Sequence, residues 1–383
     1  MSTKNGKNIL ALMGIFHGHV PGMIEVVKDL TSLGHNVTCY VLDKFKDRVK
    51  DTGAKLKVFT IPPIHRSPYS PKRAINCLIA GFSYDAIITD ALKSEDKYDY
   101  LLIDSFFDGS ELNKIFKIPT IISVYIFPLG EETPYVKKFE QKRLEPIIPV
   151  NKKFNLNIRD FIRVHYIADA KYKLMLTSKL FHPVSKAIND SFYFIGPSIE
   201  ERPIDNNFNF KKDENKKLVY ISLGTIFNED FEIYNHFIEA FKNWKDFQVI
   251  MSIGNYFDIK DLGNLPENIL AFNYIPQTQL LKQTDIFITH GGINSINEAI
   301  LLNNLPIIVM PQELDQFDNA QQVEKLEAGI ILDNKNLNSE IIKNTVNKFI
   351  ENEQKYKIGV DKICKSFKEA REQRKAIYEK LFN

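Results

Sequence analysis

The chain has 383 residues, a formal net charge of +2, 44% hydrophobic residues and three scattered cysteines. This length predicts two domains, the near-neutral charge argues against a large nucleic-acid-binding surface, and no apolar run is long enough to span a bilayer. The cysteines lack metal-site spacing and no signal peptide precedes the first strand, so the sequence predicts a protein of the reducing cytoplasm.

The N-terminal half alternates short apolar runs with helical segments. Helices are predicted at 22–33, where Gly34 supplies a C-cap, and at 109–116. The alternation predicts a parallel, doubly wound sheet. The predicted strands of this half are Asn8–Met13, Val37–Leu42, Lys57–Ile61, Tyr100–Asp104 and Thr120–Val124.

The composition changes after Ile195-Gly196-Pro197, where about twenty polar, Asn-rich and charged residues predict an interdomain linker. A second alternating set follows, and the tail from Ser339 is helical and charged. Two α/β domains of similar size predict a ligand crevice between them, at the carboxyl ends of the strands. The predicted strands of this half are 218–222, 247–252, 269–272, 286–289, 306–310 and 329–332. The predicted domains are 1–200 (acceptor-binding), 201–216 (linker), 217–365 (nucleotide-sugar-binding) and 366–383 (a helix that packs back on the N-terminal domain).

The stretch from His290 to Glu298, His-Gly-Gly-Ile-Asn-Ser-Ile-Asn-Glu, predicts a cradle for a nucleotide diphosphate. It lies between a buried strand and a helix, so the glycines allow close approach and the helix start offers free N–H groups. His290 can donate to a phosphate oxygen, Asn294 and Ser295 supply further donors, and Glu298 can accept from the two ribose hydroxyls. The pattern is neither a Walker loop nor a Gly-x-Gly-x-x-Gly fingerprint.

The loop after the first strand contains two histidines, His17 and His19. A loop histidine at the carboxyl end of a strand suits a general base, because its ordinary pKa lies near neutrality. Such a base needs a partner that fixes its tautomer, and Asp104 ends a buried strand that faces the same crevice. Asp108 is the alternative partner, although its loop position also suits the N-cap of the next helix.

Six segments, taken in order, resemble the UDP-glycosyltransferases of the GT-B fold (glycosyltransferase family 1), especially the bacterial macrolide and flavonoid glycosyltransferases. The resemblance covers nearly the full chain. It implies two Rossmann-like, doubly wound parallel-sheet domains that face a central cleft. The segments are Gly18–Val20, Ile103–Phe107, Ser222–Thr225, Tyr274–Gln277, the His290–Glu298 stretch, and Asp315-Gln316 followed by Asn319-Ala320.

On the acceptor side, the resemblance implies that His19 is the general base and that Asp104 orients it. The family usually reads Gly-His-x-x-Pro, whereas Pro21 stands one position early here. The acceptor pocket is predicted from Phe16, the Pro62–Tyr69 loop and the Tyr125–Phe127 strand end.

On the donor side, the resemblance implies that Gly224 and Thr225 contact the diphosphate or the sugar. Tyr274 stands where the family usually has a tryptophan stacked on uracil, and tyrosine retains an aromatic face. The backbone of Ile275 would contact the uracil edge, and the Gln277 amide could pair with the base or the ribose. Asp315 and Gln316 would bracket two sugar hydroxyls. The full predicted donor set is Gly224, Thr225, Tyr274, Ile275, Gln277, His290, Gly292, Asn294, Ser295, Glu298, Asp315 and Gln316.

The predicted function is an inverting hexosyltransferase, a monomer or weak dimer, that uses a UDP-sugar, most simply UDP-glucose, and no metal or other cofactor. No Asp-x-Asp pair or other metal triad is evident, so helix N-termini and His290 would stabilise the leaving diphosphate. The predicted acceptor is a phenolic, flavonoid, terpenoid or macrolide. The alternatives are a lipid glycosyltransferase at a membrane surface, for which 137–143 is the candidate basic segment, and a nucleotide-sugar-binding protein without turnover.

Overall fold

The structure is a computed structural model that describes residues 6–16, 18–62, 72–105, 107–125, 127, 148–158, 170–183, 185, 188–200, 205, 208, 210–224, 230–312 and 315–382. The chain forms two compact units. Unit 1 comprises Met1–Thr177, Val184–Glu200 and Ala370–Asn383, and unit 2 comprises Ser178–Pro183 and Glu201–Glu369.

Unit 1 contains a seven-stranded parallel sheet with the strand order β3-β2-β1-β4-β5-β6-β7. Its strands are β1 (Asn8–Leu12), β2 (Asn36–Leu42), β3 (Lys55–Phe59), β4 (Tyr100–Asp104), β5 (Thr120–Val124), β6 (Tyr172–Met175) and β7 (Phe192–Phe194). Its described helices before the linker are α1 (Val20–Ser32), α2 (Lys46–Val49), α3 (Lys72–Lys93), α4 (Gly109–Phe116) and α5 (Ile148–Phe154).

The order of the strands creates a topological switch point between β1 and β4. The chain runs outward from β1 through β2 to β3 and then returns to pair β4 with the other side of β1. The connections after β1 and β4 therefore leave in opposite directions, and a crevice opens at their carboxyl ends. Both strands are almost entirely buried, as expected for a parallel sheet covered on both faces.

Two elements in unit 1 begin two residues earlier than the sequence predicted, and the bounds of β1 and β2 each differ by one residue. Strand β3 begins at Lys55, two residues earlier than predicted. The sequence pattern misses this start because β3 lies at the edge of the sheet and its lysines interrupt the apolar run. Helix α1 begins at Val20 rather than Gly22, with His19 as its N-cap residue. Pro21 thus falls in the first turn, where the missing N–H is not needed for an intrahelical bond.

Unit 2 contains a six-stranded parallel sheet with the order β10-β9-β8-β11-β12-β13. Its strands are β8 (Lys217–Ser222), β9 (Phe247–Ser252), β10 (Ile269–Phe272), β11 (Ile286–Thr289), β12 (Ile307–Val309) and β13 (Gly329–Ile331). Its helices are α6 (Phe231–Phe241), α7 (Gln277–Leu280), α8 (Ile293–Asn303), α9 (Asp315–Lys325), α10 (Ser339–Glu351) and α11 (Glu353–Glu372).

The second sheet repeats the topology of the first, with its switch point between β8 and β11. The chain moves from β8 to β9 and β10, and β11 then pairs with the free side of β8. The loops after β8 and β11 carry Gly224 and the His290–Gly292 turn. Topology alone thus brings the two predicted phosphate-contacting loops to one edge of the sheet.

The C-terminal residues 370–383, which include α12 (Arg374–Leu381), belong to unit 1. Buried Arg374 donates to the carbonyl oxygens of Ile195, Gly196 (2.9 Å) and Pro197 (2.7 Å) and pairs with Glu25 at 2.8 Å. The C-terminal helix therefore fixes the end of the chain segment that leads into the predicted linker.

None of the described helices combines the length and apolar character needed to cross a bilayer.

Candidate functional site

His19 and Asp104 form a close pair at the switch point of unit 1. The His19 Nδ1 lies 3.0 Å from each carboxylate oxygen of Asp104, whose side chain is fully buried. A carboxylate can only accept, so the proton must be on Nδ1 and Nε2 is the basic nitrogen. This is the tautomer that a histidine general base requires.

Two glycines make room for this pair. A Cβ atom on Gly14 would lie 2.5 Å from His19 Cβ and 3.1 Å from Asp104 Oδ2. A Cβ atom on Gly22 would overlap the ring of Tyr125. Tyr125 in turn lies against the imidazole, with the ring centroids 4.7 Å apart. The histidine is therefore held between a buried carboxylate and an aromatic ring, both of which depend on small neighbours.

Asp108 takes the structural role that its loop position suggested. Its carboxylate accepts hydrogen bonds from the backbone N–H groups of Ser110 and Glu111 and caps α4. The Phe16 ring stands edge-on to His19 at 6.4 Å. Two aromatic rings, those of Phe16 and Tyr125, thus lie near the imidazole, and the acceptor pocket itself stays a prediction. Parts of that predicted pocket, Ile126 and residues 63–69, lie outside the described residues. The second loop histidine, His17, lies outside them as well.

In unit 2, α8 begins directly at the glycine pair. Its N-cap is Gly292, which has no side chain to satisfy the first backbone N–H groups, and the first intrahelical bond runs from Ile296 N–H to the Gly292 carbonyl at 3.2 Å. Gly291 adopts φ +84°, and a Cβ there would lie 2.6 Å from Val309 Cγ1. A helix N-terminus capped by glycine is a ready site for an anion.

The His290 ring is enclosed by the backbone of two predicted site glycines. A Cβ on Gly224 would lie 2.7 Å from His290 Nε2, and one on Gly292 would lie 2.5 Å from the same atom. Residue 290 retains some solvent exposure, but the surrounding loops desolvate its imidazole, and this burial lowers the pKa of His290 to about 4. Burial therefore favours the neutral form of the His290 ring at physiological pH, and a hydrogen bond to the backbone of Ser222 acts in the opposite direction. Gly224 and Gly292 leave room for the His290 ring, because any side chain at either position would collide with it.

Glu298, the predicted ribose ligand, is buried and held by a neighbouring amide. Gln277 Nε2 donates to Glu298 Oε2 at 2.7 Å and to Ser295 Oγ at 3.1 Å. The other end of the amide, Oε1, accepts from the hydroxyl of Tyr220 at 3.1 Å. Both ends of the Gln277 amide thus have protein partners, and its NH2 group orients Glu298 and Ser295. A contact of Gln277 with the base or the ribose stays a prediction.

The predicted sugar-binding residues lie at the start of α9. Gln316 is buried and accepts from the backbone N–H of Gln312 at 2.9 Å. Asn319 Nδ2 donates to the Gly291 carbonyl at 2.9 Å and lies 3.4 Å from Asp315 Oδ2. Asn319 therefore connects the start of α9, where the sugar-binding residues are predicted, to the predicted phosphate-binding turn.

Tyr274 and Ile275 follow β10 at the same edge of the sheet. The Tyr274 side chain is 65% exposed, and the Ile275 side chain is buried. An exposed aromatic ring beside an anchored backbone is suited to stacking on a flat ligand. Thr225 of the loop after β8 lies outside the described residues, as does the basic segment 137–143.

Within the described residues, no three His, Cys, Asp or Glu side chains are grouped so that they could hold a metal ion. Metal independence stays a prediction.

Comparison with known proteins identifies the class of enzyme. Residues 244–368 match the family of erythromycin biosynthesis protein CIII-like C-terminal domains. An uncharacterized UDP-glucosyltransferase of Bacillus subtilis, YojK, is 28% identical over 96% of this chain and 95% of its own. The oleandomycin glycosyltransferase of Streptomyces antibioticus is 25% identical over 85% of this chain and 79% of its own.

Among solved structures, the glycosyltransferase of kitacinnamycin superposes with a TM-score of 0.81 at 20% identity, covering 99% of this chain and 100% of that one. The calicheamicin glycosyltransferase superposes with a TM-score of 0.70 at 20% identity, covering 96% of each chain. The chain is a glycosyltransferase of the GT-B fold. The predicted fold class and enzyme class are thereby confirmed.

Sequence reasoning missed three features of this glycosyltransferase. Tyr220 lies inside a buried strand and resembles any core aromatic residue. Gln312 acts on Gln316 through its backbone, which leaves no side-chain signal. Gly14 is one of many glycines in loops, and only the three-dimensional structure brings it against both His19 and Asp104.

Proposed function

We propose that this enzyme transfers a hexose, most simply glucose, from a UDP-sugar to a hydroxyl of a small apolar or aromatic acceptor, with inversion at the anomeric carbon. The observation that carries the proposal is the His19–Asp104 pair. A buried carboxylate at 3.0 Å from Nδ1 fixes the tautomer in which Nε2 is basic.

The proposed reaction is a single displacement. His19 Nε2 takes the proton of the acceptor hydroxyl while the acceptor oxygen bonds to the anomeric carbon. The bond from that carbon to the β-phosphate oxygen breaks, and UDP leaves with the bonding electrons. Attack opposite the leaving group converts an α-linked donor into a β-glycoside. Asp104 stabilises the imidazolium that forms.

Unit 2 supplies the groups that would stabilise the departing UDP. The N-terminus of α8 presents backbone N–H groups, and the neutral His290 ring adds one N–H donor. Ser295 Oγ accepts from Gln277, so its own proton can be directed toward a phosphate oxygen. We infer that these dipoles replace the metal ion used by other glycosyltransferases.

The choice of donor and acceptor rests on the relatives and on the site together. A relative similar over nearly the full chain is named a UDP-glucosyltransferase, and another is named for the macrolide oleandomycin. The Phe16 and Tyr125 rings beside His19 favour a flat or apolar acceptor. We also expect a cytoplasmic enzyme that is a monomer or weak dimer.

The test is a UDP-release assay with UDP-glucose and a panel of phenolic, flavonoid, terpenoid and macrolide acceptors, with products read by mass spectrometry. His19→Ala should lower kcat by on the order of 100-fold or more and leave the Kd for UDP unchanged. The control is His236→Ala, which removes a partly exposed histidine from α6 in unit 2. Wild-type turnover by His19→Ala would eliminate the proposed base.

Two outcomes would favour the alternatives. Binding of UDP-glucose without release of UDP against any acceptor would indicate a nucleotide-sugar-binding protein. Cosedimentation with anionic liposomes, together with transfer to lipid acceptors only, would indicate a lipid glycosyltransferase.

A further inference from the structure

A chain of hydrogen bonds leads from the core of unit 2 to the predicted ribose ligand. Tyr220 lies in β8, is 1% exposed, and stacks on Phe287 of the neighbouring strand with the ring centroids 5.0 Å apart. Its hydroxyl donates to Gln277 Oε1 at 3.1 Å, and Gln277 Nε2 donates to Glu298 Oε2 at 2.7 Å. A rigid core residue is thus connected to the carboxylate through one amide.

The chemistry of this chain allows only one orientation of the Gln277 amide. A carboxylate accepts but does not donate, so the NH2 group must face Glu298 and the carbonyl must face Tyr220. The Tyr220 hydroxyl stabilises this orientation, because it donates a hydrogen bond to the amide carbonyl of Gln277. Burial and the stack on Phe287, its register partner on the adjacent strand, restrict the movement of the Tyr220 ring. Tyr220 therefore restricts the rotation of an amide that would otherwise be held at one end only.

The orientation of Gln277 affects two groups at once. Its NH2 group donates both to Glu298 and to Ser295 Oγ, at 3.1 Å. A carboxylate offers roughly four acceptor positions, and the bond from Gln277 fixes which of them face the sheet. By accepting at Oγ, Ser295 is also constrained to send its own proton elsewhere.

We propose that Tyr220 is a positioning residue for nucleotide recognition, acting through Gln277 on the ribose ligand Glu298 and on Ser295. The inference rests on the proposed function, because it takes a nucleoside diphosphate as the ligand of this site. Its specific content is that discrimination between ribose and 2′-deoxyribose depends on a hydroxyl that does not touch the ligand.

The test compares the Kd values of UDP and 2′-deoxy-UDP, measured by calorimetry, for the full-length wild-type protein, Tyr220→Phe and Tyr234→Phe. Tyr234 is a matched control, because it is fully buried in the same unit and its hydroxyl has no hydrogen-bond partner among the described residues. The wild type should prefer UDP. In Tyr220→Phe that preference should fall by about 2- to 12-fold, as expected for loss of one net hydrogen bond. Tyr234→Phe should retain the wild-type preference.

The results separate this inference from the proposed function. If Tyr220→Phe weakens both ligands equally, the residue is only structural and the inference is wrong. If the wild type binds UDP but does not discriminate against 2′-deoxy-UDP, the ribose assignment fails while UDP binding stands. If the wild type does not bind UDP, both fail. Gln277→Met, which keeps the chain length but removes the amide, provides a second variant and should lower the preference in the same direction as Tyr220→Phe.

Discussion

The glycine at position 14 offers a direct test of how tightly the base must be held. Gly14→Ala would place a methyl carbon 2.5 Å from His19 Cβ, about 1 Å inside the usual carbon–carbon contact distance. Gly14 is not among the glycines with positive φ, so alanine fits the backbone and the effect is purely steric. The His19 ring must move, and a displacement of about 1 Å can cost on the order of 100-fold in rate. We expect kcat to fall by that factor.

The assay is steady-state UDP release, accompanied by calorimetric measurement of UDP binding and by urea unfolding. The control is Gly109→Ala, in which the new methyl would meet the flexible side-chain ends of Ile103 at 3.0 Å and Thr120 at 3.2 Å. Both variants should lose about 1–3 kcal/mol of stability through overpacking. Only Gly14→Ala should lose turnover, and neither should change the Kd for UDP. A Gly14→Ala enzyme with wild-type kcat would refute the claim that the His19 position limits the rate.

Three further substitutions and one condition follow from the same geometry. Asp104→Asn should lower kcat by on the order of 10²- to 10⁴-fold at unchanged UDP affinity, because an amide can stabilise the wrong imidazole tautomer. Activity should survive excess chelator, and a requirement restored by Mg²⁺ or Mn²⁺ would contradict the metal-free assignment. The pKa of His290 is lowered to about 4, so the unfolded chain binds a proton more readily than the folded one between about pH 6.5 and pH 4. Stability should therefore fall as the pH drops, by up to about 2 kcal/mol between pH 7 and pH 5, and urea unfolding of His290→Gln should lack this component. Arg374→Met should cost about 1–3 kcal/mol, since it removes the donor of the carbonyl oxygens of Gly196 and Pro197 and one of the two arginines that pair with the partly buried Glu25. An unfolding midpoint equal to that of the wild type would show that this pair contributes nothing.

The sequence predicted most strands to within one or two residues, for a physical reason. Strands of a parallel sheet are buried on both faces and therefore read as continuous apolar runs, as in β1, β4 and β11. The half-exposed edge strand β3 follows no such rule, and its predicted start was wrong by two residues. The strand order could not be predicted from local hydrophobic patterns, because it depends on β4 pairing with the side of β1 that β2 leaves open.

In the candidate site, too, some features could be predicted from the sequence and others could not. His19 and Asp104 could be proposed because each follows or ends a strand, and the switch point then brings them to 3.0 Å. The role of Gln277 could not be predicted, since its partners come from β8 and α8, and no sequence spacing reveals that these elements converge on one amide. The sequence predicts a base or a ribose as the partner of this amide, and the structure adds three protein partners, a carboxylate, a serine and a tyrosine.

The two switch points also place one residue type in two environments that suit two different proposed tasks. His19 lies beside a buried carboxylate, which fixes the proton on Nδ1 and leaves Nε2 as the basic nitrogen. His290 is enclosed by glycine backbone and desolvated, which lowers its pKa to about 4 and keeps the ring neutral. The first environment suits a group that must take up a proton during each turnover. The second suits a group that must hold its one N–H toward an anion without changing charge.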